Sequence, residues 1–405
     1  MNRLLESDLD AQTLPEFELK VAMKSVACIV SYLDLLQDDE SSGRYTLSQF
    51  NLAQFMKLDA SAVKALNLLP GPKEGNKNTN LYGLLNKCRT AQGSRMLGQW
   101  IKQPLMSIPD ISTLFLPKPN QMITIEKRQD IVSIFVENAF LREMIQENCL
   151  KAFPDLHRLS KKFQRGKANL QDVLRVYQVI LSLPQLIEEL NAYDGENAAL
   201  LKDVFVSKLQ HQAENLEKLK ELVETTIDLE ASNHHEYVIK ADFDPNLCEI
   251  KTKMDDTLKQ MQKEARKVAD NLGLEYEKKL KFEHSPQYGY HLRLSRNDSS
   301  RIRNSSNYIE LKTVKAGALF VTKTLRTLSS EHSDLQSEYS KLQSDTAKEV
   351  ISITATYFSV LEQCNQVVAE LDVFVSLAEA ATNATIPYIR PTMNDLGICF
   401  LSHCF

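Results

Sequence analysis

A group of cationic side chains lies between His291 and Arg326, where eight Arg and Lys accompany only two acids, Asp298 and Glu310. This stretch carries a net charge of +6, whereas the whole chain carries −5. Guanidinium and ammonium groups mixed with Ser and Asn can donate to phosphate oxygens without reading bases, so the pattern favours a polyanionic partner. A basic face that meets only solvent is the alternative interpretation. The candidate phosphate-binding residues are Arg293, Arg296, Arg301, Arg303, Lys312, Lys315 and Lys323.

A second basic group is formed by Arg158, Lys161, Lys162, Arg165 and Lys167. Cations are favoured near the C-terminus of a helix, where they compensate the macrodipole. We interpret this group as the solvated end of a helix.

No catalytic, metal-binding or cofactor-binding set is predicted. Gly71 and Gly75 lie near lysines, but the spacing GxxxxGK followed by Ser or Thr, which a phosphate-binding loop requires, does not occur. His234 and His235 are adjacent and cannot both face one metal from a helix. Cys88 has no His and Asp arrangement that the sequence identifies, and no carboxylates stand out as an acid and base pair. We therefore expect this chain not to be an enzyme.

Two amphipathic helices flank the basic stretch. Residues 247–272 repeat apolar side chains at steps of three and four, after a helix start at Asp244-Pro245 and before a stop at Gly273. A return helix with the same spacing is predicted from Thr327 and continues to about residue 381. The pattern predicts an antiparallel helical arm with a small β-rich tip. The strands predicted in the tip are residues 287–294, 308–311 and 319–322.

The rest of the chain is typical of a helical protein. Its 405 residues, 43% of them hydrophobic, suffice for two or three domains, and only 12 Gly and 13 Pro favour helix over sheet. Seven scattered Cys without a CxxC pair indicate a reducing compartment, and neither a secretory signal nor a membrane span is expected. A weak strand is predicted at 45–54 and an exposed insertion at 111–123. The helices predicted outside the arm are residues 17–36, 60–69, 81–87, 90–102, 125–136, 139–149, 155–163, 169–183, 184–191 and 196–227.

Ordered sequence strings over most of the chain resemble the MutS family of DNA mismatch-repair proteins, and within it most closely the second eukaryotic homologue. The strings are MKLD at 56–59, ALNL at 65–68, LLNKC at 84–88, QGSR at 92–95, WIKQPLM at 100–106, FPDL at 153–156, KKFQ at 161–164, NLQD at 169–172, FDPNL at 243–247 and IPYIRP at 386–391. The insertion at 111–123 is foreign to the family pattern.

The resemblance implies a mainly α fold, with a helical lever domain interrupted by a clamp that carries the β-rich tip. The implied divisions are the end of a connector domain at 1–45, the first half of the lever at 46–243, the clamp at 244–342, the second half of the lever at 343–391 and a non-family tail at 392–405.

The resemblance also implies a function. The clamp of this family crosses the DNA duplex and touches its backbone, so we expect the basic tip to bind double-stranded DNA during mismatch recognition. The full-length protein is expected to be nuclear, to use ATP and Mg in a domain that this chain lacks, to pair with the third or sixth MutS homologue and to recruit MutL-type proteins. The alternative is a helical scaffold whose arm binds a protein partner without nucleic acid.

Overall fold

The computed structural model describes residues 4, 17, 19–32, 36, 45, 47, 55–71, 79–105, 125–232, 234, 236–295, 298–303, 307–314, 317–386 and 388–391. The chain divides into two units, Met1–Leu68 with Trp100–Ile125, and Leu69–Gln99 with Glu126–Phe405. Most of the strand predicted at 45–54, and all of the insertion at 111–123 and of the tail at 392–405, lie outside the described residues.

Helices make up most of the described chain. Two of the helical runs contain π-helical segments, Met144–Leu150 after α6 and Lys202–Val206 after α9. No helix in the described part of the chain is long and apolar enough to cross a membrane. The α-helices are α1 (Lys20–Tyr32), α2 (Ala60–Ala65), α3 (Leu81–Leu85), α4 (Ala91–Lys102), α5 (Ile125–Glu137), α6 (Ala139–Glu143), α7 (Leu156–Gln164), α8 (Leu170–Asn191), α9 (Ala198–Leu201), α10 (Ser207–Thr226), α11 (Leu229–Ser232), α12 (Pro245–Leu272), α13 (Ser300–Arg303), α14 (Lys323–Thr356) and α15 (Phe358–Thr382).

In the first unit, helix α2 begins with a side-chain cap. The Asp59 carboxylate accepts a hydrogen bond from the Ala62 backbone N–H at 2.6 Å, which satisfies one of the free donors of the first turn. Phe55 and Leu105 form an isolated antiparallel bridge.

In the second unit, α15 lies in the middle of the core. It packs against α7 and α10, and its buried side chains include Leu361, Val368 and Leu371. Phe374 of α15 meets Phe205 edge to face, with ring centroids 6.1 Å apart. From Leu371 to Ala380 nearly every residue of α15 is buried, so this half of the helix has apolar residues on most of its sides.

The sequence predicted a helix break at Pro184, and this prediction was wrong. Helix α8 runs through Pro184 from Leu170 to Asn191. A proline inside a helix removes one backbone hydrogen bond and costs about 3 kcal/mol. Leu183, Leu186 and Leu190 are buried on either side of it, and each contributes roughly 1.5–3 kcal/mol, which offsets that cost.

The prediction of one long return helix was also wrong, because two helices occupy this region. Helix α14 begins four residues earlier than predicted, at Lys323, where Thr322 Oγ1 accepts from the Leu325 N–H at 3.0 Å. It ends before Tyr357. The hydroxyl of Thr354 donates to the Val350 carbonyl at 2.8 Å, and such bonds from side chain to backbone bend helices.

The arm predicted from the sequence is present as the pair α12 and α14. Near the tip, the Thr322 hydroxyl donates to Glu264 at 3.3 Å. At the other end, the Gln343 amide accepts from the Ile239 N–H and donates to the Ile239 carbonyl, both at 2.9 Å. Contacts at both ends fix the antiparallel alignment. The predicted stop is confirmed at Gly273, whose φ of 63° is the left-handed conformation that glycine adopts freely.

A four-stranded antiparallel sheet joins the two helices at the tip, in the order β1-β2-β4-β3. One face of the sheet packs on α12 and α14, where Leu292 and Phe320 share a core with Met261, Ala265 and Leu325. The prediction of a mainly helical fold with a small β-rich tip is therefore confirmed. The strands are β1 (Leu280–Ser285), β2 (Gly289–Leu294), β3 (Tyr308–Val314) and β4 (Gly317–Thr322).

Candidate nucleic-acid interface

Three cations lie in one row across the face of the sheet that points away from the helices. Lys281 is the partner of Arg293, Arg293 of Leu319, and Leu319 of Lys312. Directly opposed residues of antiparallel strands project to the same side. The row crosses the sheet from edge strand to edge strand, three spacings of about 4.8 Å, so Lys281 and Lys312 lie roughly 14 Å apart. Both lysines are exposed.

The central cation of this row is already paired. Arg293 donates to Glu283 from Nε at 2.8 Å and from Nη2 at 2.6 Å, a two-point ion pair. Hydrogen bonding to Arg293 lowers the pKa of the Glu283 carboxyl, and the same bond raises the pKa of Arg293. Glu283 therefore cancels the positive charge at the middle of the row, while Lys281 and Lys312 at its two ends form no ion pair among the described residues.

Two more cations lie where the sheet passes into α14. Lys323 is the first residue of α14, and Arg326 lies one turn further along; both are exposed. Neither forms an ion pair within the described part of the chain. Together with Lys281 and Lys312 they form the free cationic surface of the tip.

Arg301 has a different position from the one expected of a phosphate ligand. Its Nη1 donates to the carbonyl oxygen of Leu272 at 2.7 Å, and its Nε lies 3.6 Å from Asp298. It thereby caps the C-terminal end of α12 and holds α13 against it. About half of the side chain is still exposed.

Three further candidates are Arg303, Arg296 and Lys315. Arg303 is the last residue of α13, and Arg296 and Lys315 lie outside the described residues. The assignment of the seven candidates to DNA binding stays a prediction.

Lys281 is a cation that the sequence reasoning missed, because the first strand was not predicted. The signal was present in the sequence: Leu280 and Phe282 alternate with Lys281 and Glu283, the period-two pattern of a half-buried strand. The predicted strands at 287–294, 308–311 and 319–322 correspond to β2, β3 and β4 with shifted ends.

The arm and the helices around it match a known domain. The model of MutS domain III matches residues 61–115 and 116–378, which is more than half of the chain. The chain belongs to the MutS family. The MutS domain III match begins in α2, ends in α15 and includes the whole arm with its sheet.

Individual MutS relatives agree with this assignment. The chain is 44% identical over 398 residues to DNA mismatch repair protein msh-2 of Neurospora crassa, covering 98% of the chain and 41% of the relative. It is 37% identical over 421 residues to DNA mismatch repair protein MSH2 of Saccharomyces cerevisiae, covering 98% and 42%. DNA mismatch repair protein MutS of Streptococcus agalactiae is 26% identical over 398 residues. The chain therefore spans about two fifths of the length of these relatives.

The histidines near the sheet of this MutS-family chain are packed rather than gathered around a metal site. The His284 ring lies 4.6 Å from that of Tyr290, which meets the His332 ring at 5.1 Å. Burial lowers the pKa of His332. His291 is buried in β2, with Nδ1 2.9 Å from the Gly289 carbonyl oxygen. Among the described residues, no cluster of three or more His, Cys, Asp or Glu could hold a metal ion.

The Cys88 thiol lies against α15 rather than in an electropositive site. Burial, followed by the negative charge of Asp372, raises its pKa to about 12. At neutral pH the thiol is protonated, and thiolate chemistry is not favoured there.

Proposed function

We propose that the tip of the arm grips the sugar-phosphate backbone of double-stranded DNA, without reading its sequence, as the clamp of a MutS-type mismatch-repair protein. The observation that carries the proposal is a set of exposed cations on the sheet and its exit that form no ion pair with any described residue, in a chain whose net charge is −5. These cations are Lys281, Lys312, Lys323 and Arg326. The names of the relatives as DNA mismatch repair proteins support it.

The spacing of these cations suits a regular array of charges. Duplex DNA carries one negative charge per about 1.7 Å of axis, so a row roughly 14 Å wide meets several phosphates. Ammonium groups on flexible stems neutralise phosphates without selecting bases. We therefore expect binding to be salt-dependent and similar for matched and mismatched duplexes.

The domain divisions belong to the same proposal. Residues 1–45 would end a connector domain, 46–243 and 343–391 would form the lever, and 244–342 the clamp. The contact of Gln343 with the Ile239 backbone supports the boundaries near residues 243 and 343. It joins the incoming and returning segments of the arm where the lever would begin.

The full-length protein would be an ATP-dependent sensor of mismatches and DNA damage in the nucleus. It would pair with the third or sixth MutS homologue and recruit MutL-type proteins. Support for this part comes from the eukaryotic relatives, which are named as mismatch-repair proteins and are more than twice as long as the aligned region.

The test replaces Lys312 and Lys323 with Gln, because neither side chain holds the fold together. Duplex affinity is measured by fluorescence anisotropy over a salt series, on a matched and a mismatched duplex. Losing two phosphate contacts should weaken binding at least about fivefold at low salt on both duplexes and flatten the slope of log K against log salt by about 1–2. Arg301 is a poorer choice, since its substitution would also remove the hydrogen bond to the Leu272 carbonyl that caps α12.

The matched control replaces Lys208 and Lys218, two exposed lysines of α10, with Gln. It makes the same change in net charge away from the tip. Equal affinities and equal slopes for the control and the tip variant would contradict the proposal. They would favour an arm that binds a protein partner, whose apolar contacts depend little on salt.

A further inference from the structure

The second basic group of the sequence lies on the surface of the helical body. Arg158, Lys161, Lys162, Arg165 and Lys167, here called the α7 patch, are all exposed. The apolar side chains of the same helix, Leu156, Leu159 and Phe163, are buried. Helix α7 therefore turns its whole cationic side to solvent.

The helix macrodipole accounts for only part of this patch. It favours cations in the last turn of α7, where Lys161 and Lys162 lie. Arg158, however, lies in the first turn, where a positive charge is unfavourable, and Lys167 lies beyond the end of the helix. A solvated helix end thus explains Lys161, Lys162 and the C-cap residue Arg165, but not Arg158 or Lys167.

Neighbouring carboxylates do not neutralise the patch either. Asp155 is engaged by Arg95 through two hydrogen bonds of 2.7 Å. Asp172 is buried and pairs with Lys162 at 2.9 Å. Among the described residues, the other four cations of the patch have no ion-pair partner. Their charge is available to a ligand.

The connection between α7 and α8 has a fixed backbone, on which these cations are carried. Gly166 adopts a φ of 61°, and its N–H donates to the Phe163 carbonyl at 3.0 Å. Asn169 and Asp172 then form a reciprocal capping box at the start of α8, and Lys162 binds the same Asp172. A surface ordered in advance loses little conformational entropy on binding.

The chemistry of the patch fits phosphates better than protein. Between residues 155 and 175 no apolar side chain is exposed. Protein interfaces have an apolar centre and are depleted of Lys, whereas contacts to a DNA backbone are mainly cationic. We propose that the α7 patch is a second, sequence-independent contact for the backbone of the same duplex that the tip binds. The choice of duplex rests on the proposed function of the tip.

The fold also sets the distance between the two surfaces. Helix α7 packs on both α14 and α15, which meet at Tyr357, whereas the sheet packs on the opposite end of α14. With 34 residues at about 1.5 Å each, α14 is roughly 50 Å long. A duplex that reaches both surfaces must therefore be longer than about 15 base pairs, at about 3.4 Å per pair.

The experiment compares three variants of the full 405-residue chain. The patch variant carries Lys161→Gln, Arg165→Gln and Lys167→Gln, which keep the apolar stems and leave the Lys162 pair intact. The tip variant carries Lys312→Gln and Lys323→Gln, and the control carries Lys208→Gln and Lys218→Gln. Duplexes of 30 and 10 base pairs are titrated over a salt series, and thermal unfolding checks that every variant is folded.

The patch variant should bind the 30-base-pair duplex about tenfold more weakly than the control and lower the salt slope by about 2–3, since each lost phosphate contact lowers it by about 0.9. Its affinity for the 10-base-pair duplex should change at most about twofold, because that duplex cannot reach both surfaces.

If the patch variant binds the 30-base-pair duplex with the same affinity and salt slope as the control, the α7 contact is overturned. If the tip variant is still weakened, the proposed function of the tip stands; if only the patch variant is weakened, the tip assignment fails and the α7 contact survives. The patch would instead bind an acidic protein segment if two results are found together. The patch variant would bind DNA as well as the control does, and it would lose binding to poly-glutamate.

Discussion

At Arg293, one neighbouring carboxylate changes how much positive charge a candidate residue offers to phosphate. In the sequence it is one of seven candidate phosphate ligands, equal to Lys312 or Lys323. In the sheet its guanidinium forms an ion pair with Glu283 of strand β1. Glu283 lies two residues after Lys281, the residue directly opposite Arg293. A partly exposed ion pair of this kind contributes about 1 kcal/mol to stability, so its larger effect is on the charge that the tip presents.

Removing Glu283 should therefore strengthen DNA binding. In Glu283→Gln the carboxylate charge that offsets the cationic row is lost. We expect duplex affinity to rise about three- to tenfold and the salt slope to steepen by about 1, measured by anisotropy over a salt series.

The control for this prediction is Glu338→Gln, which removes an exposed carboxylate from α14 away from the sheet. If Glu283→Gln binds no better than this control, the Glu283 carboxylate does not weaken the attraction of the tip for the DNA backbone.

At the scale of elements, α4 is anchored by a carboxylate of α15. Asp372 is buried and accepts hydrogen bonds from the Arg89 N–H at 3.0 Å, the Thr90 N–H at 2.8 Å and the Thr90 hydroxyl at 2.6 Å. Thr90 in turn accepts from the Gly93 N–H at 3.0 Å. Burial raises the pKa of Asp372, and these hydrogen bonds act in the opposite direction. The carboxylate joins the start of α4 to the core helix.

Gly93→Ala should disturb this junction. A Cβ at position 93 would collide with the Asp372 carboxylate and lie 2.8 Å from its Cγ, so Asp372 would have to move and give up hydrogen bonds. We expect a loss of about 2–3 kcal/mol in the free energy of unfolding, measured by urea denaturation.

Gly98→Ala on the same helix is the matched control. Its Cβ would meet only Tyr82, at an ordinary contact distance of 3.4 Å. There the better helix propensity of Ala should add about 0.5–1 kcal/mol. Equal effects of the two substitutions would refute the role assigned to Asp372.

At the scale of the whole molecule, charge is distributed unevenly. The chain has a net charge of −5, yet the stretch from His291 to Arg326 carries +6. An acidic protein is repelled by DNA over most of its surface, so a local positive field selects which part approaches the duplex. The overall charge thus favours contact through the tip and through the proposed second contact at the α7 patch.

The sequence also predicts how this polypeptide responds to nucleotide. It contains no GxxxxGK followed by Ser or Thr, the loop that cradles phosphates in NTP-binding proteins. We expect calorimetric titration of the 405-residue chain with MgATP to show no binding, and MgATP to leave its duplex affinity unchanged. ATP-dependent release of DNA by this chain would contradict the expectation.

The sequence by itself determined the features that depend on neighbours along the chain. Apolar steps of three and four gave the helices of the arm, Asp244-Pro245 and Gly273 gave the ends of α12, and charge counting located the basic tip. These features are local because helix hydrogen bonds and caps join residues about four positions apart.

Only the tertiary structure decided the features that join distant residues. Strand register placed Lys281, Arg293 and Lys312 in one row, and Glu283 beside Arg293. The Asp372–Thr90 contact joins residues 282 positions apart. Such pairings depend on how whole elements pack, and burial and register, rather than local periodicity, decide which charges remain free.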